Sequence, residues 1–210
     1  MFADAAPYIT AFVTLAVIID PVGLAPLFVA LTQGEEAARR RRIAFRAILT
    51  AFGVLTVFGL FGEAVLAFVG ISMPAFRIAG GALLFLTALD MLFERRTKRR
   101  EDQTHGDGGE ADDPSVFPLA IPLIAGPGAI ATMILLTSEA PDDWAWIAAV
   151  HGVMAAVLGV VLLFFLAAPK LERALGPVGI NVTTRLLGML LAALSVQFIL
   201  DGLTAYGFGT

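Results

Sequence analysis

Long apolar runs alternate with short polar or charged breaks along this chain. A bilayer core needs about 20 mostly apolar residues per helix. Six stretches qualify: Tyr8–Leu31, Ile43–Val69, Met73–Phe93, Phe117–Ser138, Trp144–Ala168 and Asn181–Leu203. None carries the half-polar stripe of a helix on a soluble protein, and none shows the strict alternation of a membrane barrel strand. The pattern predicts an all-α polytopic membrane protein with six transmembrane helices. Between the third and fourth runs, Glu94–Ser115 turns from basic (ERRTKRRED) to acidic and glycine-rich (HGDGGEADDP). Such a stretch buries too little apolar surface to order itself, so it reads as a flexible cytoplasmic loop between segments 1–93 and 116–210. His105, Asp102, Asp107 and Asp112 lie within it. We read them as solvated rather than as a metal site, because nothing fixes their geometry.

Composition agrees with the pattern. Hydrophobic residues make up 58% of the 210 and charged residues 15%, against roughly 45–50% and 25% in soluble domains; the mean hydropathy is +0.85. The absence of cysteine excludes disulfides, thiolate metal sites and cysteine nucleophiles. Met1–Thr10 contains no Lys or Arg, unlike the basic start of a cleavable signal, so the first helix is expected to be retained. The net charge of −4 is small, and its placement matters more. Arg39–Arg42 and Arg46 follow helix 1, Arg95–Arg100 follow helix 3, Lys170 and Arg173 follow helix 5, and Arg185 lies just inside helix 6. Only Arg77 falls at the 2–3 connection. The positive-inside rule then places both termini outside the cytoplasm. Tyr8, Trp144, Trp146 and Tyr206 would fall at the outer interface, where amphipathic rings prefer to lie.

The halves share a design. LFGEAVLAFVGIS at 60–72 aligns with PKLERALGPVGIN at 169–181, pairing Glu63 with Glu172. Arg77 and Gly80 then align with Arg185 and Gly188, and DPVGLA at 20–25 with GPGAIA at 126–131. Each half has three helices, an odd number, so the second copy must be inverted in the membrane. Such inverted repeats are a common transporter architecture.

Helices 1 and 4 are expected to be broken at Pro and Gly. Pro21 and Pro26 remove the partners of the Val17 and Val22 carbonyls, and Gly23 lies between them. In helix 4, Pro122 and Pro127 free the carbonyls of Pro118 and Leu123, with Gly126 and Gly128 flanking Pro127. Interrupted segments at matching places in two halves point to a transport site. Each break starts a half-helix whose N-terminal amides carry partial positive charge. Asp20 can cap one; Gly126 leaves the other open to an anion. A zwitterion could place its carboxylate at the Gly126–Ala129 amides and its ammonium near Asp20. The candidate substrate residues are therefore Asp20, Pro21, Gly23, Gly126, Pro127, Gly128 and Ala129.

Arg77, Arg185 and Asp201 sit at helix ends whose dipole disfavours their charge. They call for a partner or for snorkelling to the interface. Glu63 and His151 lie deeper, where ionisable groups are costly and mark pathways. Glu63, Arg77, Arg185 and Asp201 are the candidate coupling network, and His151 reads as a hydrogen-bonded packing residue. Gly53, Gly59, Gly62, Gly80, Gly81, Gly152, Gly159 and Gly188 read as close helix contacts.

The motifs DPVGLAPLF, PAFRIAGG, PLAIPLIAGPGAIATMILL and RLLGMLLAALSVQFILDGL resemble the MarC family, six-helix inner-membrane proteins of bacteria and archaea related to neutral amino acid transporters. The resemblance implies the same fold, an inner-membrane location and, as in some members, transport of small neutral amino acids. Two function classes stand: an ion-driven secondary transporter, or a non-transporting membrane scaffold or assembly protein. No P-loop, HExxH or GxSxG is present, so an enzyme is not expected. The expected contacts are lipid, a small solute and a coupling Na⁺ or H⁺. No cofactor, metal or nucleic acid is expected, and the oligomeric state is not legible.

Overall fold

The computed structural model describes residues 2–93 and 113–208, excluding the side chains of 2–4, 169–173, 175 and 177. Residues 94–112, with His105 and its neighbouring aspartates, lie outside them. The chain forms α1 (Phe2–Ile19), α2 (Pro21–Leu31), α3 (Ala37–Val69), α4 (Met73–Leu92), α5 (Ser115–Ile124), α6 (Pro127–Thr137) and α7 (Trp144–Tyr206). Gly176, at φ 62°, divides α7 into two limbs, Trp144–Ala168 and Val178–Tyr206. Both limbs, α3, α4 and the run Ala5–Leu31 are each long and apolar enough to cross a membrane. The α5–α6 pair, bent by 58°, makes a sixth candidate span. Among the described residues there is no strand.

Local chemistry explains the boundaries. Gly70, in the left-handed region at φ 83°, ends α3, and the Ile71 N–H closes the turn onto the Leu66 carbonyl. Ser72 caps α4, and Asp143 caps α7 by accepting from the Ala145 and Trp146 amides. α3 begins at Ala37, earlier than its apolar run, so Arg39–Arg42 are helical. The linker also ends earlier than its composition suggests. Asp113 pairs with Arg46 and accepts the Ser115 N–H at 3.0 Å, drawing Asp113–Ser115 onto α3.

Contacts fix the helix directions. Gly202 lies against Pro74 and Ile78, Gly81 against Ser195 and Ile199, and Gly188 against Ala88 and Met91. So α4 and the second limb run antiparallel. Tyr8 meets Trp146 at 5.6 Å, and Phe28 stacks on Phe165 at 4.4 Å, so α1 and α2 run parallel to the first limb. The Trp146 indole N–H donates to the Leu136 carbonyl at 2.8 Å. Tyr8, Trp146, Arg77 and Tyr206 consequently share one end of the bundle, and Arg39–Arg42, Arg46 and Arg185 the other.

The interrupted spans occupy the centre. In the most hydrophobic window of Ala5–Leu31, 61% of residues are buried, against 17% in that of α3. All of Ala131–Thr137 in α6 is buried as well. Phe68, Leu49 and Val69 on α3 are largely exposed, as suits a lipid-facing surface. The glycines divide. A Cβ at Gly81 would fall 2.7 Å from the Ser195 carbonyl oxygen, and one at Gly62 2.4 Å from Ile134. Gly59 and Gly188 are similarly close to neighbours, and Gly80 is in ordinary contact. Gly53, Gly152 and Gly159 have nothing within 4 Å, so those three are not helix-contact glycines. Gly202, absent from the sequence-based set, is one.

Candidate functional site

Asp20 stands alone between α1 and α2. It adopts φ 57°, ψ 70°, the one non-glycine residue with positive φ among the described residues. For an L-residue that conformation costs roughly 1–2 kcal/mol, less for Asp, which bonds locally. The carboxylate Oδ1 accepts the Gly23 N–H at 3.0 Å, and such a cap contributes about 0.5–2 kcal/mol. Cap and strain therefore roughly offset one another. Asp20 is wholly buried. Gly23 makes the arrangement possible, because a Cβ there would lie 2.1 Å from Asp20 Oδ2. Gly23 thus seats the carboxylate, a role its reading as a substrate contact did not include. Pro21 occupies the first helical position of α2, where a missing N–H costs nothing.

The second interruption is built differently. Phe117 and Ile121, each preceding a proline, are extended at φ −124° and −128°, as the proline ring demands of its predecessor. The remaining bonds in α5 are wide, with the Leu119 N–H reaching Pro114 and the Ala125 N–H reaching Ala120. Pro118, which the sequence reading did not count as a breaker, thus acts together with Pro122. At Gly126 the chain is extended, with no side chain to cap α6, and Pro127 takes the first helical position. A Cβ at Gly126 would fall 2.6 Å from the Pro122 carbonyl oxygen, whereas one at Gly128 would meet only the side chains of Leu84 and Ile18. Ala129 is buried.

These contacts bring the two interruptions together. Ile18, two residues before Asp20, packs at Gly128, two residues after Gly126. One turn further along the same face of α6 lies Thr132, fully buried, its hydroxyl without a hydrogen-bond partner. Buried hydroxyls are normally satisfied. Thr132 thus adds a buried, unpaired polar group in the second turn of α6. Its only sequence signal is its four-residue spacing from Gly128.

The charged candidates separate. Arg77 and Asp201 lie at the aromatic end, where both charges act on the carboxyl of Glu139, which the sequence reading missed. Glu139 is exposed by surface area, yet enough protein crowds its carboxyl for desolvation to raise it above its ordinary value; Arg77 opposes this and Asp201 reinforces it. The Gln197 side-chain amide donates to Asp201 at 2.7 Å. Arg185 is exposed at the opposite end, and Glu63 lies on an exposed stretch of α3. The four proposed members of one network are therefore not gathered in one place. His151 is bonded through Nδ1 to the Ile147 carbonyl at 2.7 Å, while Nε2 is buried, without a partner, beside Gly59. Among the described residues, no group of acidic, His or Cys side chains could hold a metal.

The description "MarC family integral membrane protein" matches residues 5–206. A UPF0056 membrane protein of Methanocaldococcus jannaschii is 35% identical over 93% of this chain and 95% of its own length. The UPF0056 membrane protein YvbG of Bacillus subtilis is 36% identical over 91% and 92%. The UPF0056 inner membrane protein YhgN of Escherichia coli is 36% identical over 93% and 95%. No solved structure matches. With a match across nearly its whole length, the chain belongs to the MarC family of integral membrane proteins.

Proposed function

We propose that this chain is a secondary transporter of small neutral amino acids or similar small solutes, resident in the inner membrane as the YhgN name indicates for that relative. One observation carries the proposal: the two proline-interrupted spans are the buried ones and meet at Ile18 and Gly128. The uncapped start of α6 offers amides to a carboxylate, the Thr132 hydroxyl offers a further bond, and Asp20 offers negative charge to an ammonium or a coupling cation. Because Asp20 and Thr132 are fully enclosed, a solute reaches them only after the helices around them part. An inverted repeat would supply that movement. The helices that such a repeat would relate, α4 and the second limb, pack antiparallel through Gly81, Gly188 and Gly202, as the repeat requires.

The test is uptake of labelled glycine, alanine and serine into proteoliposomes under imposed Na⁺ or pH gradients. Thr132→Val keeps the shape and removes an unpaired hydroxyl, so folding should survive unharmed while flux falls at least tenfold. Asp20→Asn keeps the cap and removes the charge; flux or its coupling should drop with expression unchanged. Gly126→Val is a poor probe, because its side chain strikes the Pro122 backbone. Normal flux in both Thr132→Val and Asp20→Asn would refute the site. Absence of flux for every solute and gradient would leave the transporter reading without support.

A further inference from the structure

A groove of about 990 Å³ opens between the start of α3 and the first limb of α7. Its walls are apolar: Phe45, Leu49 and Phe52 on one side, Leu158 and Leu162 on the other, with Ala155 leaving space between them. Its mouth is cationic, formed by Arg41, Arg42 and Arg46. The residues of α3 recur at helical spacing, so guanidinium groups and apolar side chains lie along one face.

The arginines differ in how their charge is met. Arg39 pairs with Glu35 at 3.2 Å, Arg40 donates to the Thr32 carbonyl at 3.1 Å, and Arg46 binds Asp113. Arg41 lies over the Phe45 ring at 5.5 Å, at the groove wall. Neither Arg41 nor Arg42 has a carboxylate partner among the described residues. Like charges three and four residues apart repel one another, so this cluster calls for an anion.

We propose that this groove is a specific binding site for a phospholipid with a net negative headgroup. Its phosphate would lie between Arg41 and Arg42, and one acyl chain would run along Phe45, Leu49, Phe52 and Leu158. Charge and shape both single out this occupant. A neutral lipid would leave the guanidinium pair unmatched, a free phosphate would leave the apolar trough unused, and guanidinium groups bind phosphate oxygens in bidentate fashion. The groove is lined by α3 and the first limb of α7 alone and shares no residue with the Asp20–Gly128 region, so the site is independent of the transport proposal.

The experiment is native mass spectrometry of the full chain in detergent, titrated separately with phosphatidylglycerol, phosphatidylcholine and inorganic phosphate. Phosphatidylglycerol should bind at least tenfold more tightly than phosphatidylcholine, and phosphate alone should not bind. Arg41→Gln with Arg42→Gln should abolish the preference between the two lipids. Ala155→Phe, which fills the trough without touching charge, should weaken phosphatidylglycerol binding several-fold, with circular dichroism confirming unchanged helix content in both variants. Equal binding of the two lipids by the wild type, or a preference that survives the double arginine variant, would overturn the proposal. So would a preference that emerges only after Glu110→Gln and Asp112→Asn, which would assign the arginines to the chain's own acidic segment.

Discussion

Asp20 and Gly23 illustrate how one position can depend on another. The left-handed turn at Asp20 survives because its carboxylate folds back onto the Gly23 amide, and the carboxylate fits because Gly23 has no side chain. Gly23→Ala would force the two apart. We expect a loss of at least about 1 kcal/mol, the worth of a cap, seen as a lower unfolding temperature in detergent. Ala is otherwise the better helix former, so an unchanged midpoint would show that the cap is dispensable. Glu139 gives a second residue-level test. Its folded-state carboxyl is raised by desolvation and Asp201 against the pull of Arg77, so the folded protein holds this proton more tightly than the unfolded chain. Its contribution to stability is complete below the ordinary value of about 4.5 and is lost as pH rises through the raised value. Glu139→Gln should flatten that decline in a series of thermal midpoints above pH 4.5. Arg77→Gln should steepen it, because the opposing cation is gone.

Between helices, the glycines sort by what surrounds them. α4 and the second limb of α7 approach closely at Gly81, Gly188 and Gly202, the small-residue packing by which membrane helices gain van der Waals contact. Gly81→Val would drive a branched side chain against the Ser195 backbone and should cost about 1–3 kcal/mol by overpacking. Gly159→Ala meets open space and should be neutral or stabilising by about 0.5–1 kcal/mol. Apparent midpoints of both variants in one detergent decide the matter; equal shifts would show that these contacts do not bear on stability. Composition alone could not separate the two glycines, because both lie in apolar helical runs. The difference arises from which helix face meets a neighbour.

Across the molecule, charge and aromatic residues divide the bundle into an arginine end and an aromatic end. The positive-inside rule assigns the arginine end to the cytoplasm. The chain has no cysteine, so single cysteines can be read without background. Gln33→Cys marks the arginine end and Asp142→Cys the aromatic end. An impermeant thiol reagent applied to intact cells should label Asp142→Cys alone. Labelling of Gln33→Cys would reverse the orientation and, with it, the reading of where both termini lie.

The all-helical, membrane-spanning character of five apolar helices, with the bent α5–α6 pair as a sixth candidate, was legible from the chain because it follows from local quantities. A run of some 20 apolar residues is itself the physical requirement for crossing a bilayer, and a proline perturbs its own turn wherever it stands. The positions of Pro21 and Pro127 could therefore be located without any partner. The pairing of surfaces could not be. The meeting of Ile18 with Gly128, the enclosure of Asp20 and Thr132, the action of Arg77 and Asp201 on Glu139, and the separation of Glu63 and Arg185 from that group all depend on how helices far apart in the chain pack. Apolar runs of similar composition fit one another in many ways, and close packing of side chains selects among those arrangements. That selection exists only in three dimensions.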